Sequence, residues 1–345
     1  MAVPLAHGLD LRRPLLALLA SDDPRAAGWL ARALGAAESD ITAGIEQLRA
    51  LGVDVTASPE GFRLGLGGRI ELLDAAAIRA ALREEAGGRL QQLEVLFEVD
   101  STNSRLLGRP GPPAGFADAA LAELQNAGRG RRGRRWIAPF GASLALSLGW
   151  TFRDAEGVDS TLSLAVGVAV CRALGGFGAR GIRLKWPNDI WFEDRKLGGV
   201  LVETRTSGGT AHVVVGVGLN LHLSDESRRQ IGTLADASAD PRGLAALDAA
   251  CPSPVSRNAL AAALLTELLR MLPLFERRGF AAFRDEWRSL DALRGRPACV
   301  LLAQDAVEGI ARGVDEDGGL LLEHGGNIDK FIAGEASLRL IPGEA

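Results

Sequence analysis

Q-N-A-G-R-G-R-R-G-R-R-W, residues 125–136, places five arginines and three glycines between Gly128 and Trp136, the densest charge in the chain. Glycines 128, 130 and 133 let the backbone pass close to a ligand and reach positive φ, and the guanidinium groups offer planar forks of donors suited to phosphate or carboxylate. Gly128, Gly130 and Gly133 spell G-x-G-x-x-G, but a dinucleotide fingerprint closes a strand and opens a helix. Here the following W-I-A-P-F-G-A-S-L-A-L-S-L-G-W-T-F, residues 136–152, has an early proline and then alternates from Ser143, which predicts a strand. No Gly-Lys-Ser/Thr ends the run, so it is not a P-loop, and no H-R-D or D-F-G follows for a kinase. An arginine-rich nucleic-acid patch stays open on the run alone.

Outward from the loop, polar clusters fall at the ends of apolar segments. Upstream, L-Q-Q-L-E-V-L-F-E-V-D-S-T-N-S-R-L-L from Leu90 reads as a strand and then Ser101-Thr102-Asn103 capping a helix. A-D-A-A-L-A-E-L-Q, residues 117–125, is a buried segment whose alanines do not separate strand from helix. Downstream, residues 161–176 form an apolar core helix, and I-R-L-K-W-P-N-D-I-W-F is a strand interrupted at Lys185–Asp189, where Pro187 forbids a continuous ladder. The chain then turns at Asp194-Arg195-Lys196, and T-A-H-V-V-V-G-V-G-L-N-L supplies a strand ending at Asn220. Side chains at such strand ends can converge on one mouth.

The 345 residues allow two or three domains. Hydrophobic content of 47%, charged content of 24% and a net charge of −4 describe a globular protein, so the arginine cluster is local. Cys171, Cys251 and Cys299 are too few and too far apart for a disulfide framework or zinc site, and the four histidines form no ligand pair. A cytoplasmic chain with reduced thiols is expected. No apolar run approaches bilayer length and the N-terminus lacks a signal-type core, so no membrane partner is expected.

Residues 12–66 predict three helices, stopping near Ala20, Gly35 and Gly52, then a two-strand ribbon turning at Pro59-Glu60-Gly61. This order is a winged helix-turn-helix. A recognition helix must approach phosphates, yet residues 36–51 carry Glu38, Asp40 and Glu46 against Arg49 alone, and residues 1–66 have a net charge of −2. Gly44 also weakens that helix. A helical connector spans residues 74–86. Residues 224–257 form a polar excursion without nameable chemistry, two amphipathic helices follow, and the short strands after Arg294, with a hairpin at Asp317-Gly318, predict a small SH3-like barrel.

Taken together, S-T-N at 101–103, the loop at 125–136, K-W-P-N-D at 185–189, R-K-L-G-G-V-L-V-E at 195–203 and G-V-G-L-N at 216–220 resemble biotin–protein ligase, in order and spacing. With the N-terminal helices and C-terminal strands, nearly the whole chain resembles the bifunctional form that also represses biotin synthesis. The resemblance implies an α+β chain of four parts: a winged helix-turn-helix (1–67), a connector (68–89), a mixed-sheet catalytic domain (90–290) and an SH3-like barrel (291–345). It implies an enzyme that joins biotin to ATP as biotinyl-5′-AMP with Mg2+ present, then transfers biotin to a lysine of a biotin carboxyl carrier protein. A homodimer is implied, with operator DNA as a further partner. Repressing relatives place basic residues where this chain has Glu38, Ala43 and Gly44, which sets DNA binding against the resemblance.

By the same resemblance, Lys196 reaches the biotin carboxylate and the α-phosphate, Lys185 assists, and Arg129, Gly130 and Arg131 belong to a loop that folds over the ligand. Ser101, Thr102, Asn103 and Gln125 match the ring-binding positions, and Gly198-Gly199 lets backbone approach the biotin tail. Trp136 and Asn220 match positions around adenine. Arg132, Asn188 and Asp189 face the phosphates, Asp189 also facing magnesium, and Glu335 and Arg339 match a segment near the nucleotide. Lipoate–protein ligase, a DNA-binding biotin sensor and an RNA-binding protein are the alternatives; the arginine–glycine loop and K-W-P-N-D favour biotin, and the lack of interleaved aromatics disfavours RNA.

Overall fold

The computed structural model describes residues 10–20, 23–64, 71–154, 158, 161–234, 243–302, 305–333 and 337–340. The chain divides into two compact units, one of residues 1–72 with Pro139–Gly141 and one of Leu73–Ala138 with Ala142–Ala345.

In the first unit, α1 (Arg12–Leu19), α2 (Ala27–Leu34) and α3 (Glu38–Ala50) precede a hairpin of β1 (Val55–Ser58) and β2 (Gly61–Leu64). Gly35 ends α2 with φ 63°, a conformation that glycine adopts without Cβ strain. Leu15, Leu16, Leu19, Leu30, Ile41, Ile45 and Leu48 are buried. Gly44 is buried too, and a Cβ there would stand 2.5 Å from Leu15 Cδ1. It lowers helix propensity, but it also lets α3 pack closely on α1.

The second unit is built on a seven-stranded mixed sheet. Two short helices, α4 (Ala75–Ala81) and α5 (Glu84–Gly87), lead into it, broken at Leu82–Arg83 where one continuous helix was expected. The next elements are β3 (Leu90–Val99), α6 (Thr102–Leu107), β4 (Ala117–Gln125), β5 (Ser143–Phe152), α7 (Leu162–Gly175), β6 (Ile182–Lys185), β7 (Asp189–Phe192), β8 (Arg195–Ser207) and β9 (Thr210–Asn220). The sheet order is β3-β4-β5-β9-β8-β7-β6; β3 and β4 run parallel and every other pair antiparallel. The alanine segment 117–125 is thus a strand, held between two partners.

Period-two alternation sorts the faces of β5 and β9. Leu144, Leu146, Leu148, Trp150, Val213, Val215, Val217 and Leu219 are buried in the main core, with α7 and α9 (Arg257–Arg278) packed against it. The other face carries Ser143, Ala145, Ser147, Gly149, Gly216, Gly218 and Asn220, small or polar residues that leave room for a ligand. On that face α6 packs through Leu106 onto Ala120 and Val214.

The 224–257 excursion includes α8 (Asp225–Leu234). Pro273 lies within α9, which continues past it. At its N-terminal end Arg257 ion-pairs with buried Glu123 at 2.7 Å and donates to Ser143 O, while Glu123 Oε1 accepts from Leu73 N. Contrary to the expected absence of a bilayer-length apolar run, Arg257–Ala282 is long and apolar enough by length and composition, although most of its apolar window is buried inside the protein.

After α10 (Arg284–Leu290) come β10 (Pro297–Leu301), β11 (Ala306–Val314), β12 (Leu320–His324), β13 (Asn327–Phe331) and β14 (Ser337–Leu340). These form an open antiparallel sheet in the order β13-β12-β11-β10-β14, and among the described residues no pairing closes β13 onto β14. The expected SH3-like barrel is therefore corrected to an open sheet. Its edge strand β13 is mostly exposed and carries Asp329 and Lys330, charges that suit an edge facing water, beside an exposed Ile328.

Candidate active site

A cleft of about 720 Å³ opens over the small-residue face of the mixed sheet, within the range of sites for small molecules and cofactors. Ser101, Thr102, Asn103, Gln125, Arg129, Gly130, Arg131, Arg132, Trp136, Lys185, Asn188, Asp189, Lys196, Gly199 and Asn220 all line it. The residues singled out in the sequence therefore converge, with three exceptions. Arg339 is placed on β14, and Glu335 lies outside the described residues. Gly198 is not part of the lining; its missing Cβ avoids Gly218 O, 2.4 Å from where it would stand, and lets β8 lie tight on β9.

One end of the cleft is a buried polar array. Ser101 caps α6, its side chain accepting from Ser104 N at 3.5 Å. Gln125 Oε1, at the end of β4, accepts from Thr102 N at 2.8 Å and Thr102 Oγ1 at 3.1 Å. Ser147 Oγ lies 2.7 Å from Thr102 Oγ1 and 2.6 Å from Asn103 Oδ1. Asn103 Nδ2 donates to Glu203 Oε2 at 2.9 Å and Leu201 O at 3.4 Å. Ser101, Thr102, Asn103 and Ser147 are all buried.

The other end is cationic. Asp189 at the start of β7 holds Lys196 Nζ at 2.7 Å on one oxygen and has Lys185 Nζ at 4.0 Å from the other. Burial pushes the Asp189 carboxyl up, and the Lys196 and Lys185 ammoniums outweigh it, leaving the group below its ordinary value and ionised. Lys185 also sits 4.7 Å over the Trp191 ring, and Lys196 lies 6.0 Å from that of Trp136. Lys185 and Asn188 flank a turn through Trp186 and Pro187, joined by a cis peptide; Trp186 is buried and donates to Gly318 O at 3.0 Å. Asn188 Nδ2 donates to Val200 O at 2.7 Å.

The arginine loop is a narrow turn: Gly130 N donates to Arg134 O at 2.7 Å and Trp136 N to Gly128 O at 2.8 Å. Of its glycines only Gly133 has positive φ, 73°; the other positive φ falls on Arg132, at 58°. A non-glycine residue there is uncommon and marks local strain. Gly128 serves close approach instead, since a Cβ would stand 2.2 Å from Trp136 O. Arg131 donates to Asn188 Oδ1 at 3.3 Å and to Ala333 O, joining the loop to the β6–β7 turn and the C-terminal strands. Burial lowers its basicity, Asp189 raises it, and Arg134 and Arg132 lower it again, yet a guanidinium stays charged. Arg129 pairs with Glu203 and donates to Ser104 Oγ at 3.2 Å. Trp136 stands against β9 where Gly218 lacks a side chain; a Cβ there would meet its ring at 2.5 Å. Asn220, buried at the end of β9, donates to Ala245 O at 3.2 Å.

Sequence reading missed several groups. Ser147 is the polar interruption in the alternation of β5, and Glu203 closes a quoted motif without having drawn notice. Arg228, Ile231 and Leu244 line the cleft from the stretch that carried no recognisable signal. Among the described residues Asp189 is the one carboxylate lining the cleft, and no group of three His, Cys, Asp or Glu forms a metal cage. A magnesium ion accompanying a nucleotide takes most ligands from phosphate and water, so one added carboxylate suffices, and the ion would neutralise phosphate charge there.

A mixed sheet bearing a cationic cleft next to a buried polar array, under an arginine–glycine loop, defines a ligase of the biotin/lipoate class. Residues 99–220 match the Biotin/lipoate A/B protein ligase family and residues 295–339 the Biotin protein ligase C terminal domain. The bifunctional ligase/repressor BirA of Escherichia coli is 40% identical over 330 residues, 94% of this chain and 96% of that protein. The biotin–[acetyl-CoA-carboxylase] ligase of Mycobacterium tuberculosis is 35% identical over 257 residues, 72% of this chain and 90% of that protein. The biotin protein ligase of Aquifex aeolicus, solved with biotin and ATP, superposes with a TM-score of 0.59 at 26% identity, over 73% of this chain and all of that one. The chain belongs to the biotin–protein ligase family.

Proposed function

We propose that the cleft joins biotin to ATP and then hands the biotinyl group to a lysine. A biotin carboxylate oxygen attacks the α-phosphorus and pyrophosphate leaves, giving biotinyl-5′-AMP; a lysine amine then attacks the acyl carbon and AMP leaves. The activity is that of the family, and the acceptor is of the biotin carboxyl carrier type, the functional partner of such ligases.

The observation that carries this reading is the pair of ammonium groups on Asp189, beside the buried array of Ser101, Thr102, Asn103 and Gln125 in the same cleft. Two anions repel as they approach, and fixed cations offset that repulsion most where charge accumulates in the transition state. Lys196 is assigned to the carboxylate and α-phosphate, with Lys185 assisting. Arg129, Gly130, Arg131 and Arg132 cover the adenylate and exclude water. Ser101, Thr102, Asn103 and Gln125 are assigned to the ureido ring, Gly199 to the tail, Trp136 and Asn220 to adenine, Asn188 and Asp189 to the phosphates, and Arg339 to the nucleotide. The test is biotin-dependent exchange between ATP and labelled pyrophosphate: Lys196→Ala is expected to lose on the order of 10²–10³-fold with its melting temperature little changed, and near-normal exchange would remove Lys196 from this role.

The four-part division at 67, 89 and 290, a homodimer and a cytoplasmic location complete the proposal. Operator binding is disfavoured. The exposed side of α3 carries Glu38, Asp40 and Glu46, and Arg49 is tied to Glu46 at 2.6 Å and to Val55 O.

A further inference from the structure

Between the polar array and the arginine loop lies one carboxylate that neither subsite claims. Glu203, on β8, spends its two oxygens on different elements. Oε2 accepts from Asn103 Nδ2 at 2.9 Å, and Oε1 pairs with Arg129. Its side chain is 18% exposed and that of Arg129 48%, so the pair is open to water on the arginine side and sheltered on the carboxylate side. Arg129 in turn donates to Ser104 Oγ, one residue along α6 from Asn103.

The chemistry of a carboxylate settles how Asn103 stands. An ionised carboxylate only accepts hydrogen bonds, so Asn103 must present its NH2 to Glu203 and its carbonyl to Ser147 Oγ, 2.6 Å away. Without Glu203 only the longer contact of Nδ2 to Leu201 O, 3.4 Å, disfavours the flip on this side of the amide. The third side is closed by β9, where a Cβ on Gly216 would stand 2.3 Å from Asn103 Oδ1. Resting on the reading under Proposed function, we infer that Glu203 is a positioning residue: it fixes the Asn103 amide in the biotin subsite and latches the arginine loop through Arg129, so that ring binding and retention of the adenylate share one carboxylate.

Replacement separates the two duties. Glu203→Gln keeps an acceptor for Asn103 but loses the charge that holds Arg129; Glu203→Ala loses both. In biotin-dependent exchange, Glu203→Ala is expected to raise the KM for biotin about 10- to 100-fold while the KM for ATP stays within about twofold, as for loss of a charge-assisted hydrogen bond to one substrate's subsite. Bound biotinyl-5′-AMP should leave about tenfold faster. Glu203→Gln should recover most of the biotin KM and keep the fast release, a split that general loosening of the fold does not give. Melting curves identify a misfolded Ala variant, in which case Glu203→Gln alone decides through its release rate. A biotin KM and adenylate release within twofold of the parent, or equal rises in both KM values, would overturn the inference. If the parent chain itself shows no biotin-dependent exchange, it is the proposed function that fails.

Discussion

Asp189 holds one lysine at contact and a second at the limit of an ion pair, and the three charges leave a net positive site, as the proposed meeting of two anionic reactants requires. A single added or removed charge in such a place acts on the reaction more than on the fold. Asp291 is the opposite case, a buried carboxylate whose cost falls on the fold. It donates nothing and accepts from Leu293 N at 2.9 Å through Oδ1, while Oδ2 has no partner among the described residues. Burial pushes its carboxyl up to about 6, against smaller opposing effects of the Leu293 and Arg294 backbone and the Arg294 charge. With the folded value above the unfolded one, the native state binds the extra proton between about pH 4 and 6, so stability falls as pH rises through that window. Asp291→Asn is expected to flatten this slope and to gain on the order of 1 kcal/mol at pH 7, measured by denaturant unfolding across that range. An unchanged slope would remove Asp291 as its source.

At the scale of elements, the site face of the sheet is shaped by what is missing. Gly216 and Gly218 alternate on β9 beneath Asn103 and Trp136, and neither position tolerates a Cβ at the present spacing. Gly218→Ala must therefore displace the Trp136 ring, and is expected to raise the KM for ATP about tenfold while the KM for biotin changes little; equal effects on both would detach Trp136 from the nucleotide. The small residues of β5 were visible in the sequence as period-two alternation, β9 only as a strand ending at Asn220, and the Ser101 cap and the break at Pro187 were legible too. The strand state of Ala117–Gln125 was not, because alanine favours neither period and only pairing with β3 and β5 decides it. The closure of the C-terminal strands was misread for a related reason: strand spacing fixes which segments are extended, not whether the first and last of them pair. Glu203 shows a further limit. Its letter stood in a quoted motif, but its role depends on Asn103 and Arg129, 100 and 74 residues away in the chain.

For the molecule as a whole, charge separates two expectations. The ligase cleft concentrates cations, whereas the exposed side of α3 carries acids where a recognition helix would need cations to meet phosphate. A mobility-shift assay of the full chain with the DNA upstream of its own gene, biotin and ATP present, is expected to show only weak binding; tight binding that weakens steeply with salt would reverse this reading. The proposed function is activation of a carboxylate by ATP in a cleft whose polar array selects the ring. Pyrophosphate exchange run in parallel with biotin, with lipoate and with neither tests this most directly. Exchange that depends on biotin and stays at background with lipoate is the expected result, and exchange driven equally by lipoate, or by neither compound, would contradict it.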